Sequence, residues 1–303
     1  MRGRKRFVYL LALSLCPTVT HAAMHVRGYT TDRHARFANS PNFIGAGYDF
    51  SGVGNSANGW VTMISPSHFL TAAHIGAGGT ATFDRDNRID NNIEIPLITR
   101  SVLSDSLVRL QNTDGSPTDL LFGRLDAPLT AADGIASYDI AERPAAGDYV
   151  GSTQFVYGRG EGGIDSDRLG RNTIDRVVPL REVDPAFEPA SGSSPVTISN
   201  YDYTGGSGDD ETFLMGGDSG GPNFLVIDGA LALVGINWFN ATADNDPNKM
   251  VLSGSSYVPA YASQIEGLMA VPEPASIATL ATMTATLLLT RRRRGSVPVT
   301  RGG

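Results

Sequence analysis

The stretch "FLMGGDSGGPNF", residues 213–224, decides how the rest of the chain is read. Glycines crowd an aspartate and a serine ahead of a Gly-Pro, which is either a tight loop between two strands or a seat for Ser219 as a nucleophile. A serine hydroxyl attacks a carbonyl only with a base in hydrogen-bond reach. Histidine is the usual base because it changes charge near neutral pH.

Four histidines lie beyond residue 23: His25, His34, His68 and His74. The first two lie near the expected new N-terminus, and His68 sits in the expected turn Ser65–His68, which predicts a solvated ring. His74 ends the strand-like run "FLTAAH" and precedes the glycine-rich "IGAGG", a place from which a side chain can face a cleft. The base needs an acid to fix its tautomer. Asp119 in "PTDLLFGRL" stands before an apolar run, where a carboxylate is expected to be half buried and therefore partnered. Taken singly, His74 also reads as a structural histidine and Asp119 as a turn cap.

Composition agrees with a globular β protein. The 303 residues are 41% hydrophobic and 18% charged, with 35 Gly and 17 Pro punctuating short runs rich in Val, Ile, Thr, Tyr and Phe. The expected class is all-β. Strands are expected at Trp60–Ile64 and Phe69–Ala73, and in "EIPLITRSVL", "DLLFGRL", "STQFVYGRG" and "LALVGINWF". "ERPAAGD" (142–148) reads as a connector between halves, and 188–195 and 204–211 as exposed loops. A helix is expected over Tyr257–Met269, where Tyr261, Ile265 and Leu268 share one face.

Charge is segregated. Residues 24–270 hold 15 Lys and Arg against 30 Asp and Glu, a net charge of −15, so nucleic acid is an unfavourable partner. The basic residues cluster at the ends. Residues 1–23 combine a basic start, the apolar run Phe7–Leu15 and small residues, which reads as a secretory signal peptide cleaved after Ala22 or Ala23. Cys16, the only cysteine, falls inside it, so the mature protein is expected to lack disulfides.

At the other end, Pro272-Glu273-Pro274 precedes the apolar run Ile277–Thr290 and the block Arg291–Arg294. The run would span about 21 Å as a helix, short of a hydrocarbon core of roughly 30 Å. The three-part order resembles the PEP-CTERM sorting signal of Gram-negative surface proteins. That resemblance implies export, processing by an exosortase-type membrane enzyme, and a short membrane helix over part of 271–303. The product would belong to the cell envelope, the cell surface or the secreted fraction. A plain membrane anchor is the other reading.

"TAAH", "TDLLFGRL" and "GGDSGGP" occur in the order His, Asp, Ser, 45 and then 100 residues apart. This resembles the chymotrypsin/trypsin family of serine endopeptidases, whose catalysis rests on a Ser-His-Asp triad. "PAAGDYVGSTQFVYGRG" resembles the family's passage into its second barrel, and "LVGINWF" its cleft-lining strand, so the likeness runs over about residues 45–269. It implies two antiparallel six-stranded β-barrels, at about 24–145 and 146–270, and a C-terminal helix. Ser219 would be the nucleophile, His74 the base, Asp119 its orienting acid, and the Gly217 and Ser219 N–H groups the oxyanion hole. Asp218 would be the structural acid beside the nucleophile.

Phe213, Trp238 and Phe239 would shape a narrow substrate pocket suited to small apolar side chains, unless a loop shift brings in Asp210 or Glu211. Asp218 would pair with a new N-terminus at Ala23 or Met24, or with an internal arginine. The family's common cysteines are replaced by Ile75 and Met215, and no Ile-Val-Gly-Gly start occurs. The implied activity is hydrolysis of peptide bonds in protein substrates, without a cofactor. Asp84, Asp86 and Asp90 sit at the distance of the family's calcium loop, although a solvated acidic loop is the better reading of them. A catalytically silent surface binding or matrix protein on the same fold, and an esterase, are the alternatives.

Overall fold

The computed structural model describes residues 23–38, 40–56, 59–85, 89–90, 93–94, 96–160, 163–183, 192–243, 246 and 248–270. The expected signal peptide apart from Ala23, the expected sorting segment 271–303, Asp86 and the side chain of Asp90 lie outside the described residues.

The described chain is mostly β. Strands β1 (His25–Val26), β2 (Val53–Ser56), β3 (Gly59–Met63), β4 (His68–Ala72), β5 (Thr80–Phe83), β6 (Ile89–Asp90), β7 (Ile93–Glu94), β8 (Ile98–Ser101), β9 (Val108–Gln111) and β10 (Pro117–Arg124) come first. They are followed by β11 (Asp139–Ile140), β12 (Thr153–Gly160), β13 (Gly163–Thr173), β14 (Arg176–Pro179), β15 (Pro195–Asn200), β16 (Thr212–Phe213), β17 (Pro222–Ile227), β18 (Ala230–Thr242) and β19 (Met250–Tyr257). A helical turn, α1 (Thr31–His34), lies near the start. Tyr257 still belongs to β19. A 3₁₀ turn at Val258–Tyr261 separates it from the helix α2 (Ala262–Met269), which is shorter than expected. Pro259 in that turn cannot donate a backbone hydrogen bond.

Two large sheets carry the fold. The first has the order β8-β5-β2-β3-β4-β10-β9, antiparallel throughout. The second runs β13-β12-β17-β18-β19-β15-β14, with β11 added parallel to β18. Seven and eight strands replace the expected six apiece, because short strands such as β9 and β11 add to the ladders. An isolated antiparallel bridge, Val102–Leu125, links the chain just beyond β8 to the end of β10. Only Ile174 and Asp175 separate β13 from β14, the two ends of the second sheet.

Core residues follow strand alternation. Val61, Met63, Phe69, Ala81 and Phe83 pack together in the first sheet, and Ala141, Tyr149, Ile174, Leu225, Val234 and Tyr257 in the second. β12 is buried on both faces beyond its first residue, because the N-terminal segment covers it. Val156 packs with Met24 and Val26, whereas Phe155 and Tyr157 on the opposite face meet Phe50. Residues 24–36 therefore pack against β12 and β16, and Arg36 also reaches the first half by donating to the Asp84 carbonyl at 2.6 Å. β1 pairs with β16, and Arg36 donates to Tyr157 Oη and Asp167.

Trp60 of β3 meets Tyr157 of β12 edge to face at 5.2 Å, joining the two sheets through rings. Of the expected exposed loops, Ser194, Asp210 and Glu211 are instead buried. Among the described residues no helix is long and apolar enough to cross a membrane.

Candidate functional site

Pairing of β4 with β10 sets Leu120 opposite Ala72, and Ala73 N–H donates to the Asp119 carbonyl. Two residues past the end of β4, His74 thus arrives beside Asp119 despite the intervening 45 residues. The β9–β10 register slips between Pro117 and Leu121, and this irregularity contains Asp119. Such bulges re-aim side chains. Asp119 is 2% exposed, more deeply buried than expected. Its Oδ2 accepts from His74 Nδ1 at 2.7 Å and its Oδ1 from the His74 backbone N–H at 2.9 Å.

Ser219 comes from the loop between β16 and β17 and lies 2.8 Å from His74 Nε2 through Oγ. A carboxylate only accepts, so the proton of the imidazole sits on Nδ1 and Nε2 is free to accept the Ser219 O–H. The histidine side chain is 38% exposed, so the pair is reachable from solvent. The loop is bent by Gly217 (φ +105°) and Gly220 (φ +81°), conformations that favour glycine. A Cβ on Gly220 would lie 2.7 Å from the Trp60 carbonyl, so this turn docks tightly on the first sheet. Among the described residues, neither the Gly217 N–H nor the Ser219 N–H donates a hydrogen bond.

Asp218 is fully buried. Its carboxylate accepts from the backbone N–H groups of Arg159 (2.8 Å) and Met215 (2.7 Å). These bonds favour the charged form, but burial outweighs them and pushes its pKa up to about 7. The Met24 amide N–H donates to the Arg159 carbonyl at 2.7 Å, and a Cβ on Gly158 would fall 2.6 Å from both Met24 Sδ and Asp218 Oδ1.

Phe213 is buried, with its ring edge-on to Tyr201. Trp238 and Phe239 pack against Leu180, Val196, Ile198 and Leu252. The Phe239 ring lies flat on Gly254, where an added Cβ would fall 2.1 Å from Cζ. Asp210 is tied to Arg33 and His34, and Glu211 accepts from the Ser207 and Asp202 N–H groups, so both are engaged away from Phe239.

The remaining histidines have partners. His68 opens β4, half-buried, with its ring stacked on Phe122 and bonded to Ser65; it is not the solvated turn residue expected. His25 bonds Tyr201 Oη. Asp84 is described, and among the described residues no cluster of three or more potential metal ligands occurs.

Asn237 escaped the sequence reading. It is fully buried in β18 and bonds the Ser219 loop through both backbone and side chain. The available signal was a lone amide inside the apolar run "LALVGINWF".

A scan against models of protein families matches none, and a search among curated proteins returns no relative.

Proposed function

We propose that this chain is a serine endopeptidase that cleaves peptide bonds through an acyl-enzyme on Ser219. The observation that carries the reading is the unbroken chain Asp119–His74–Ser219, with contacts of 2.7 and 2.8 Å and a solvent-facing imidazole. In this reading His74 Nε2 takes the hydroxyl proton as Ser219 Oγ attacks the scissile carbonyl. Asp119 holds the ring and stabilises the imidazolium. His74 then protonates the leaving amine, and water repeats the sequence to release the acid.

The idle N–H groups of Gly217 and Ser219 suit an oxyanion hole. The resemblance to chymotrypsin-like proteases supplies the two-barrel reading. The Val102–Leu125 bridge favours closure of the first sheet, and the near-continuity of β13 with β14 favours closure of the second. Residues 1–23 as an export signal and 271–303 as a sorting segment would deliver the enzyme to the cell envelope or beyond, where exported proteins are the substrates.

The test is labelling of the purified protein with a fluorophosphonate, beside Ser219→Ala and His74→Ala. Expected is one label on Ser219 that Ser219→Ala abolishes and His74→Ala slows by about 10^4-fold, on the order of 5 kcal/mol of barrier. A peptide library then tests for amide cleavage. A folded wild-type protein that takes no label, or one that turns over esters and leaves every peptide intact, defeats the endopeptidase reading.

A further inference from the structure

We propose that Asn237 is the positioning residue that aims the Ser219 N–H at the oxyanion site, an assignment that rests on the serine-hydrolase reading. Asn237 Nδ2 donates to two carbonyls, Tyr157 O at 2.8 Å and Asp218 O at 3.1 Å. Two carbonyl acceptors require the amide nitrogen there, which fixes the orientation of the amide. Its Oδ1 accepts from Ser255 Oγ at 3.3 Å, and that hydroxyl accepts from Asn223 Nδ2 at 2.6 Å. A buried polar relay therefore ends on the carbonyl of the residue before the nucleophile.

That carbonyl shares one planar peptide with the Ser219 N–H. In a trans peptide the C=O and N–H point in opposite directions. Drawing the Asp218 oxygen inward onto Asn237 thus turns the Ser219 N–H outward. The backbone of Asn237 adds two further stitches, donating to Gly221 O at 2.8 Å and accepting from Gly220 N–H at 3.0 Å.

Gly221 supplies an independent observation. A Cβ there would fall 2.8 Å from Asn237 Nδ2, 2.5 Å from Tyr157 O and 3.0 Å from Asp218 O. The absence of a side chain at 221 is what leaves room for the amide. Both residues serve one arrangement, and loss of either should produce the same defect.

The experiment compares wild type, Asn237→Leu, Asn237→Ser and Gly221→Ala in fluorophosphonate labelling and in turnover of p-nitrophenyl acetate, with thermal melts to select folded protein. Leucine keeps the branched shape and heavy-atom count, in somewhat larger volume, and removes both donated hydrogen bonds. Expected is a fall of about 10²-fold in labelling rate and kcat with KM within twofold, the signature of a lost transition-state contact. Gly221→Ala should show the same split. Serine, which retains one short donor, should recover part of the rate.

Gln154→Leu is the control. Gln154 lines the same buried region and donates to Ser199 Oγ, not to the loop, so its loss should lower stability and leave kcat unchanged. A labelled wild type whose folded Asn237→Leu and Asn237→Ser forms react at the wild-type rate overturns the assignment alone. An equal loss of kcat in Gln154→Leu also overturns it, because the effect would then be general loosening. A wild type that takes no label overturns the hydrolase reading and the assignment together.

Discussion

Asp119 grips His74 at two points: Oδ1 takes the backbone N–H and Oδ2 takes Nδ1 of the ring. The first contact fixes where the histidine sits, and the second fixes which ring nitrogen carries the proton. Asp119→Asn separates the two functions. Asparagine keeps an oxygen for the backbone N–H but presents an NH2 to Nδ1, so the proton moves to Nε2 and the ring no longer accepts from Ser219. We expect fluorophosphonate labelling to fall about 10^4-fold, as for loss of tautomer control in a triad, with little change in the melting temperature. Labelling within tenfold of wild type would show that Asp119 does not set the tautomer.

Gly217 has φ +105°, whereas its neighbour Gly216 is exposed, with nothing within 4 Å of an added Cβ. Gly217→Ala must either hold a strained backbone, at roughly 1–3 kcal/mol, or turn the peptide away. Either outcome disturbs the N–H assigned to the oxyanion. The expected result is labelling slowed by about 10²-fold in Gly217→Ala and unchanged in Gly216→Ala. Equal rates in the two variants would remove Gly217 N–H from the proposed site.

The candidate site was legible because its three residues lie in runs whose local chemistry is unusual: a histidine at a strand end, a carboxylate before an apolar strand, a serine among glycines. Most strands were legible for a similar reason, since short β-branched and aromatic runs stand between glycines and prolines. What stayed hidden depends on long-range pairing. Nothing local announces that β1 joins β16, that His34 meets Asp210, or that Asn237 reaches the Asp218 carbonyl. His68 looked solvated because its local sequence is a turn, and the ring of Phe122 that covers it comes from β10.

In the proposed endopeptidase, Phe239 would bear on substrate choice. Its ring lies on Gly254 and meets Trp238 edge to face at 5.7 Å, so it occupies the space that a neighbouring glycine would leave open. If these residues wall the pocket, Phe239→Ala should widen the cut-site preference from small to large apolar side chains in a peptide library. Gly254→Ala should do the reverse and also destabilise, because its Cβ would strike the ring. An unchanged library profile in Phe239→Ala would place the pocket elsewhere.

Buried carboxyls give the fold an unusual pH dependence. Asp167 accepts from Arg36 and from the Tyr157 hydroxyl, yet desolvation prevails over the nearby guanidinium and raises its pKa to about 6. Asp218, raised by the same cause to about 7, behaves alike. The ordinary value for both is 3.8. Between pH 4 and 7 the native state therefore holds protons that the unfolded chain has released. Linkage makes the stability they contribute full below about pH 4 and lost as pH rises through 6 and 7. At 1.36 kcal/mol per unit, Asp167 is worth at most about 3 kcal/mol and Asp218 at most about 4 kcal/mol. Calorimetry at constant ionic strength should show a melting temperature several degrees higher at pH 5 than at pH 7.5. In Asp167→Asn one of the two groups is gone, and the slope between pH 4 and 6 should flatten accordingly. Parallel curves for wild type and variant would mean that Asp167 stays ionised in the fold, held by Arg36 against its burial.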